Sequence, residues 1–356
     1  MKSQKTFLIP LICSFLCLVS CKADSTGAIS KDHEATVNSV DSQPELDGGE
    51  TSSNTPTLKI KRQSSIKNYL FGHSLINHVS PEAPAGNNET SVPHWLQKLA
   101  KAAGNKYYTA GQYGFLRNHA ELPPKSQWGF SEVPTAWDPD LNGESFSDVG
   151  FTSVILTAAN FIQYQSPNTP FDGDNPTRST PLTSTLEIID WISLHSPSSD
   201  IYIYENWPDM AQYISSFPPS KREFSRYHAK TLGEFHEWWI QYQDQIREAR
   251  PQKQVKMLPV GPVIASVLQL DPLNTIPATE LYEDDAPHGK PTIYFLAALV
   301  TYMGIYGEQS PDNLKIPSSI HPLVKEHYQN ISQHIWNQLS LYTFKDGQSR
   351  VWFEEK

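Results

Sequence analysis

Apolar and polar positions alternate in two ways along this chain from residue 65 onward. Short apolar runs predict buried strands, and longer segments with apolar residues at three- and four-residue spacing predict helices. The predicted strands are Lys67–Phe71, Lys106–Ala110, Thr152–Thr157, Asp200–Tyr204 and Val255–Val260. The predicted helices are Val92–Ala103, Thr183–Leu194, Lys221–Ala249, Lys290–Tyr306 and Leu323–Leu341. This alternation predicts an α/β fold: a three-layer α/β/α sandwich around a central, mainly parallel five-stranded sheet in flavodoxin-like order.

One long segment interrupts this alternation. Residues Gly114 to Gly150 are rich in proline, tryptophan and polar side chains, and they contain no predicted strand or long helix. Long connections in compact domains are usually lids or binding loops. We therefore expect this segment to pass over the carboxyl ends of the strands.

The N-terminus has the pattern of an export signal. Lys2 and Lys5 precede the apolar run Phe7–Val19, which is too short for a stable membrane span. The run ends in Leu-Val-Ser followed by Cys21, which resembles the lipobox of bacterial lipoproteins, where the cysteine is acylated and becomes the first mature residue. An ordinary cleaved signal with an incidental cysteine is the alternative. Residues 1–20 are thus predicted to be a lipoprotein signal peptide.

A polar segment follows Cys21 and ends near Arg62. It is rich in Ser, Thr, Asp, Glu and Gly, so it cannot bury enough apolar surface to offset its ordering entropy. We interpret residues 21–62 as a flexible tether and residues 63–356 as the folded domain. Lys22 stands where an aspartate would mark retention in the inner membrane, so we expect a lipid-anchored protein of the bacterial cell envelope, attached to the outer membrane.

Charge and cysteine content exclude several function classes. The formal net charge is −10, so a nucleic-acid partner, which needs a basic surface, is not expected. The three cysteines, Cys13, Cys17 and Cys21, all precede the predicted domain. The domain therefore cannot be a cysteine protease, a zinc-thiolate protein or a thiol redox relay.

Two separated segments have the residue types of acyl-transfer chemistry. Ser74 follows the first predicted strand, where parallel α/β sheets bind ligands. Asp285 and His288 lie on one loop before an apolar helix. Serine catalysis needs a base, which histidine can supply, and a carboxylate that orients the imidazole. Glu283 and Asp284 lie beside this pair, so the choice of carboxylate stays open at this point.

Four segments together resemble the SGNH (GDSL-type) hydrolase family. They are Gly72-His73-Ser74-Leu75, Gly111-Gln112-Tyr113-Gly114, Ala158-Ala159-Asn160 and Asp285-Ala286-Pro287-His288, in the family's order. The resemblance implies that Ser74 is the nucleophile, His288 the base and then the acid, and Asp285 its orienting carboxylate. It also implies oxyanion donors from the backbone N–H of Ser74, the backbone N–H of Gly114 and the side-chain amide of Asn160. No cofactor or metal is implied.

The chain departs from the family pattern at three positions. His73 stands where an aspartate is usual, and we expect it to pack or to support the nucleophile rather than to act as the base. Ala158 replaces a glycine but keeps a backbone N–H. Phe161 replaces an aspartate and places an apolar surface beside the site, where it would alter the acyl pocket.

Several side chains are candidates for binding substrate. Flat aromatic faces with polar neighbours suit sugar rings, and Tyr113, Trp128, Trp137 and the Glu205–Trp207 segment fall at predicted strand ends or loops. We assign substrate binding to Tyr113, Phe161, Glu205 and Trp207. The scattered histidines His78, His119 and His236 have no spacing that indicates a metal site.

These expectations predict a serine esterase that removes acyl groups, in particular acetyl groups, from a carbohydrate. The partner is then a small-molecule or polysaccharide ester, with the membrane reached only through the lipid anchor. A lipase or thioesterase would use the same residues. A catalytically silent carbohydrate-binding protein on the same scaffold is the alternative from a different class.

Overall fold

Five parallel strands form the centre of the domain. The computed structural model describes residues 59–80, 88–158 and 165–355. The strands are β1 Ser65–Gly72, β2 Lys106–Tyr113, β3 Ser153–Thr157, β4 Asp200–Tyr204 and β5 Val255–Leu258. All neighbouring strands pair in parallel, in the order β2-β1-β3-β4-β5. This is the flavodoxin-like order, so the predicted fold class is confirmed.

Helices connect the strands and cover both faces of the sheet. In chain order they are α1 Val92–Ala102, α2 Leu116–His119, α3 Pro139–Asn142, α4 Pro181–His195, α5 Lys221–Lys230, α6 His236–Ala249, α7 Val260–Val267, α8 Ala278–Leu281, α9 Pro291–Tyr306, α10 Pro322–Glu326 and α11 Tyr328–Leu341. A π-helical segment, Thr231–Phe235, joins α5 to α6. The hydrophobic pattern predicts one continuous helix here, but Gly233 adopts non-helical backbone angles and breaks it.

Helix α7 is the main element that the hydrophobic pattern misses. The predicted strand Val255–Val260 ends at Leu258, and the chain turns into α7 at Val260. Nearly every residue of α7 is buried, so no polar face marks its helical period. The β-branched valine and isoleucine residues of this segment are also more typical of strands than of helices.

Two apolar cores lie on the two faces of the sheet. Strand residues such as Leu70 and Ile155 belong to the core shared with α1, α7 and α9, whereas Phe71 and Val154 belong to the core shared with α4 and α6. This division follows from the two-residue period of strand side chains. Within residues 59–80, 88–158 and 165–355, no helix is both long and apolar enough to cross a membrane.

The long segment from Gly114 to Gly150 packs partly against the edge of the sheet. Thr135 forms a parallel bridge with Thr109 of the edge strand β2. Trp137 and Phe146 are buried in the core on the α4 and α6 side. This part of the segment therefore shields an edge strand and fills the core, rather than forming a lid.

The predicted N-terminal regions fall mostly outside the described residues. The signal peptide, Cys21 and the tether up to residue 58 all do. The end of the predicted tether, however, belongs to the folded domain, because the Lys61 N–H donates to the Phe353 carbonyl oxygen and the Glu355 N–H donates to that of Lys59. The Lys61 ammonium also lies 2.7 Å from the Asp200 carboxylate.

Candidate active site

Ser74 lies in the turn that follows β1, beside the point where the strand order reverses. In open α/β sheets this reversal creates a crevice at the carboxyl ends of the strands. Gly72 ends β1, and a Cβ there would lie 2.9 Å from Trp128 Cζ3 and 3.3 Å from Ile76 Cδ1. A glycine at this position therefore lets the Trp128 ring pack on the strand end two residues before the serine.

Ser74, His288 and Asp284 form a hydrogen-bonded chain. His288 Nε2 lies 3.0 Å from Ser74 Oγ, and His288 Nδ1 lies 2.7 Å from Asp284 Oδ2. An acidic partner at Nδ1 holds the proton there, so the Nε2 lone pair faces the serine hydroxyl. This is the arrangement that general-base catalysis by histidine requires. The structure thus brings Ser74 and His288 together across 214 residues of sequence.

The carboxylate beside His288 is Asp284, and the expectation for Asp285 is corrected. Asp284 Oδ1 accepts the backbone N–H groups of Ala286 and His288 at 3.1 and 2.9 Å, which leaves Oδ2 for the ring. Asp285 instead offers its carbonyl oxygen to the N–H groups of Met210 and residue 211, at 2.9 and 3.1 Å. The loop closes on itself through the Asp284 side chain, so a spacing of four residues, not three, reaches the imidazole.

The hydrogen bonds to Asp284 also fix its charge. Burial raises the pKa of this carboxyl, but the bonds from the His288 ring and from the loop N–H groups outweigh it and lower the pKa below its usual value. Asp284 is therefore ionised at neutral pH. An ionised carboxylate at Nδ1 stabilises the imidazolium that forms when histidine takes the serine proton.

Trp207 supports this loop and does not face a ligand, contrary to expectation. Its side chain is buried, and its indole N–H donates to the Pro287 carbonyl oxygen at 2.9 Å. The Tyr294 ring, which meets Trp207 edge-on at 6.0 Å, donates its hydroxyl to the Ser74 carbonyl oxygen at 2.7 Å. Both bonds hold the backbone next to a member of the chain Ser74–His288–Asp284.

Glu205 is also buried and cannot bind substrate in this structure. Its side chain has no exposed surface, and Oε1 lies 2.8 Å from Nδ1 of His236 on α6. Strand alternation directs residue 205 toward the α6 layer, while Tyr204 joins the core on the opposite face. The position of Glu205 after β4 correctly predicted the end of the sheet at which it lies, but it could not predict which face of the sheet the side chain packs against.

The expected oxyanion donors meet different outcomes. The Ser74 N–H has no hydrogen-bond partner among the described residues, so it can donate to a ligand. The Gly114 N–H donates to the Gly72 carbonyl oxygen at 2.9 Å, which extends the β1–β2 ladder by one residue. Its predicted role is therefore not supported here, because the donor is already used. Asn160 and Phe161 lie outside the described residues.

Aromatic side chains at the end of β2 lie beside Gly72 and His73, which precede the serine. Tyr113 is 53% exposed and meets the Trp128 ring edge-on at a centroid distance of 5.6 Å. Phe115 is 43% exposed and lies 5.9 Å from the His73 ring. Trp137 is buried in a core instead. Of the described residues predicted to bind substrate, Tyr113 alone is open to solvent.

His73 has a structural role that explains its place before the nucleophile. Its Nε2–H donates to the Ala158 carbonyl oxygen at 2.9 Å, and its Nδ1 accepts the Leu75 N–H at 3.3 Å. Burial lowers the pKa of His73 to about 4, even though the bond to Ala158 opposes this. A neutral His73 therefore ties the serine turn to the end of β3.

His78 is a residue of the site that sequence reasoning missed. Its ring stacks on the His288 ring, with centroids 4.0 Å apart and planes inclined by 14°. Its Nε2 lies 3.1 Å from Glu283 Oε2. No pattern around residue 78 indicates this, because the contact joins segments 205 residues apart. In the part of the chain that the structure describes, no three His, Cys, Asp or Glu side chains are grouped to hold a metal ion.

Comparisons with known proteins give low similarities. A protein from Slackia heliotrinireducens assigned as an SGNH hydrolase is 14% identical over 67% of this chain and 97% of its own, with a TM-score of 0.36. A family 3 carbohydrate esterase from Clostridium thermocellum is 15% identical over 67% of this chain and 94% of its own, with a TM-score of 0.37. A protein from Parabacteroides merdae assigned as a GDSL-like lipase is 11% identical over 70% of this chain and 99% of its own, with a TM-score of 0.38. No family model matches, and no curated protein is significantly similar. Similarities at this level do not identify an activity.

Proposed function

We propose that the domain is a serine esterase of the SGNH type that hydrolyses acyl esters. The hydrogen-bonded chain Ser74–His288–Asp284 supports this proposal most directly. Serine is a weak nucleophile by itself and needs an adjacent base. The three side chains supply a nucleophile, a base in the required tautomer and an orienting carboxylate at the ligand-binding edge of the sheet.

The proposed reaction proceeds through an acyl-enzyme. Ser74 Oγ attacks the ester carbonyl carbon while His288 Nε2 takes the hydroxyl proton. The Ser74 N–H stabilises the resulting oxyanion. His288 then gives its proton to the departing alcohol oxygen as the carbon–oxygen bond breaks. Water then attacks the acyl-serine while His288 takes its proton. The bond between the acyl carbon and Ser74 Oγ breaks, and His288 returns the proton to Oγ, which releases the carboxylic acid and restores Ser74.

We infer that the substrate is a carbohydrate that carries acetyl esters. The exposed rings of Tyr113 and Phe115 beside the serine offer flat apolar faces of the kind that pack on sugar rings. A lipase or thioesterase would need the same catalytic residues. The preferred acyl length separates an acetyl esterase from a lipase, and the leaving group, a thiol instead of an alcohol, separates a thioesterase from both.

A catalytically silent carbohydrate-binding protein is the second candidate. The Gly114 N–H, which would complete an oxyanion site, is already bonded to Gly72. Loss of one oxyanion donor commonly costs about 2.7–4 kcal/mol of transition-state stabilisation. Measured hydrolysis therefore decides between the two candidates.

The test is hydrolysis of p-nitrophenyl acetate by the full chain and by Ser74→Ala and His288→Ala. Each variant is expected to lose at least about a thousandfold in kcat, because both residues act as one unit. Ser147→Ala and His195→Ala are matched controls, since their side chains form a surface pair at 3.3 Å elsewhere on the domain. Equal rates in all five proteins would refute the esterase proposal.

Acyl preference is measured next, with p-nitrophenyl esters of increasing chain length and with an acetylated oligosaccharide. The proposal expects the highest kcat/KM for acetate and release of acetate from the sugar. A strong preference for long chains would replace it with the lipolytic alternative.

A further inference from the structure

A second histidine–carboxylate pair lies against the first. His78 and Glu283 stand side by side at 3.1 Å, and the His78 ring covers one face of the His288 ring at 4.0 Å. His78 and Glu283 are more shielded from water than Asp284, with side-chain exposures of 16%, 13% and 44%. The His288 imidazole thus has Asp284 at its edge and His78 on its face.

Hydrogen bonds hold both the backbone and the ring of His78. Its backbone N–H donates to the Thr90 carbonyl oxygen at 2.9 Å, and the Thr90 hydroxyl donates to the His78 carbonyl oxygen. Glu283 holds the ring, and the Glu283 N–H donates to the His288 carbonyl oxygen at 2.8 Å. Glu283 therefore connects the backbone of the base to the ring that stacks on it.

We propose that His78 is a positioning residue for the catalytic base. The flat ring of His78 limits rotation of the His288 imidazole and keeps it in the plane that joins Ser74 Oγ to Asp284 Oδ2. This proposal rests on the proposed esterase function and adds a residue to it. Small losses of alignment at a reacting pair cost large factors in rate, so a fixed ring plane has a measurable effect.

The charges around His78 are consistent with this role. The titratable groups that act on its ring are His288, Glu283 and Asp284. Burial and the neighbouring His288 lower the pKa of His78, although the two carboxylates oppose this shift. His78 is therefore neutral at neutral pH. A neutral aromatic face can lie on the His288 imidazolium during catalysis without repelling it.

The test compares His78→Ala, His78→Phe and wild type in the full chain, with p-nitrophenyl acetate as substrate. His78→Ala is expected to lower kcat about 10- to 100-fold with little change in KM, because alignment is lost while binding is not. His78→Phe keeps a flat ring and is expected to recover most of the lost kcat. His195→Ala is the matched control, since it removes a histidine stacked on Trp191 at 4.1 Å, outside the site.

A second readout does not depend on turnover. In proton NMR, the Nδ1–H of His288 bonded to Asp284 is expected as a far-downfield resonance in wild type and His78→Phe, and to broaden or vanish in His78→Ala. Unchanged kcat and an unchanged resonance in His78→Ala would overturn the positioning role. Equal loss of kcat in the Ala and Phe variants would overturn it as well, because the stacked face would not suffice. Absence of hydrolysis by wild type refutes the esterase proposal alone, since the resonance still reports the ring position.

Discussion

Two histidine–carboxylate pairs in this domain have nearly the same local geometry and different surroundings. His288 Nδ1 lies 2.7 Å from Asp284, and His236 Nδ1 lies 2.8 Å from Glu205. His288 continues through its second nitrogen to Ser74. His236 lies edge-on to Tyr342 at 5.0 Å, and Glu205 is fully buried.

The surroundings shift the pKa values of the two carboxyl groups in opposite directions. The pKa of Asp284 is lowered, although burial opposes this, because three hydrogen bonds from its own loop favour the ionised form. The pKa of Glu205 is raised, because burial outweighs the stabilising effect of His236. A histidine beside a carboxylate is therefore not a catalytic signal by itself. The role of such a histidine depends on whether solvent and substrate can reach it and on what its second ring nitrogen contacts.

The largest expected effect separates the pairs by activity. Asp284→Asn should lower kcat by about 10³–10⁴-fold, since the amide no longer holds the proton on His288 Nδ1 or stabilises its charge. Asp285→Asn is the control, because Asp285 contacts the neighbouring loop through its backbone carbonyl. Steady-state kinetics on p-nitrophenyl acetate measure both. A larger loss in the Asp285 variant would make Asp285 the orienting carboxylate.

The next effect separates the pairs by stability. Glu205→Ala leaves His236 Nδ1 without its partner and should lower the free energy of unfolding by about 3–5 kcal/mol, with kcat of the folded protein preserved. Glu234→Ala is the control, because its ion pair with Lys230 is exposed and worth about 0.5 kcal/mol. Urea unfolding measures both variants. Loss of kcat without loss of stability in Glu205→Ala would place the buried pair in the catalytic machinery.

A smaller effect tests the support of the loop that holds Asp284 and His288. Trp207→Phe removes the donor to the Pro287 carbonyl and should cost about 1–3 kcal/mol of stability. It should also lower kcat several-fold, because the loop loses an anchor. Trp238→Phe removes a comparable bond to the Gln165 carbonyl and should affect stability only. Identical kcat in the two variants would show that Trp207 does not position the loop.

The smallest effect is the pH dependence of the buried pair. Burial lowers the pKa of His236, but Glu205 raises it above 6.5 overall, and the pKa of Glu205 is also raised. Each group therefore keeps its proton to a higher pH in the folded state than in the unfolded chain. The contribution of His236 to stability is complete below its unfolded pKa and is lost as pH rises through the folded one. Urea unfolding of wild type and Glu205→Gln from pH 6 to 9 should give a difference that shrinks with pH; a growing difference would reverse the sign.

The strands and the position of the nucleophile could be predicted from the sequence because each depends on local pattern. A short apolar run followed by Gly72 and a polar residue is enough to place Ser74 at the end of β1. The identity of the carboxylate could not be predicted in this way. Three acidic residues precede His288 within five positions, and only the folded loop shows which one turns back to the ring.

The wrong assignments of Glu205 and Trp207 to substrate binding have one physical cause. Glu205 and Trp207 were expected to contact the ligand because they follow β4, and they do lie at the carboxyl end of the sheet. The side of the sheet depends on which layer each residue packs against, and Trp207 bonds to Pro287 while Glu205 bonds to His236. His78 was missed for the same reason, because its partner His288 is distant in sequence.

The sequence by itself determined the α/β class, the strand order expected for it, and the pairing of Ser74 with His288 as candidate chemistry. Periodicity and turn residues act over a few positions, and the right-handed connection of parallel strands carries that information to the whole sheet. The tertiary structure alone decided that Asp284 orients the base, that Gly114 donates to Gly72, and that His78 lies on the base. These contacts depend on ångström-scale loop geometry between distant segments, which no local pattern encodes.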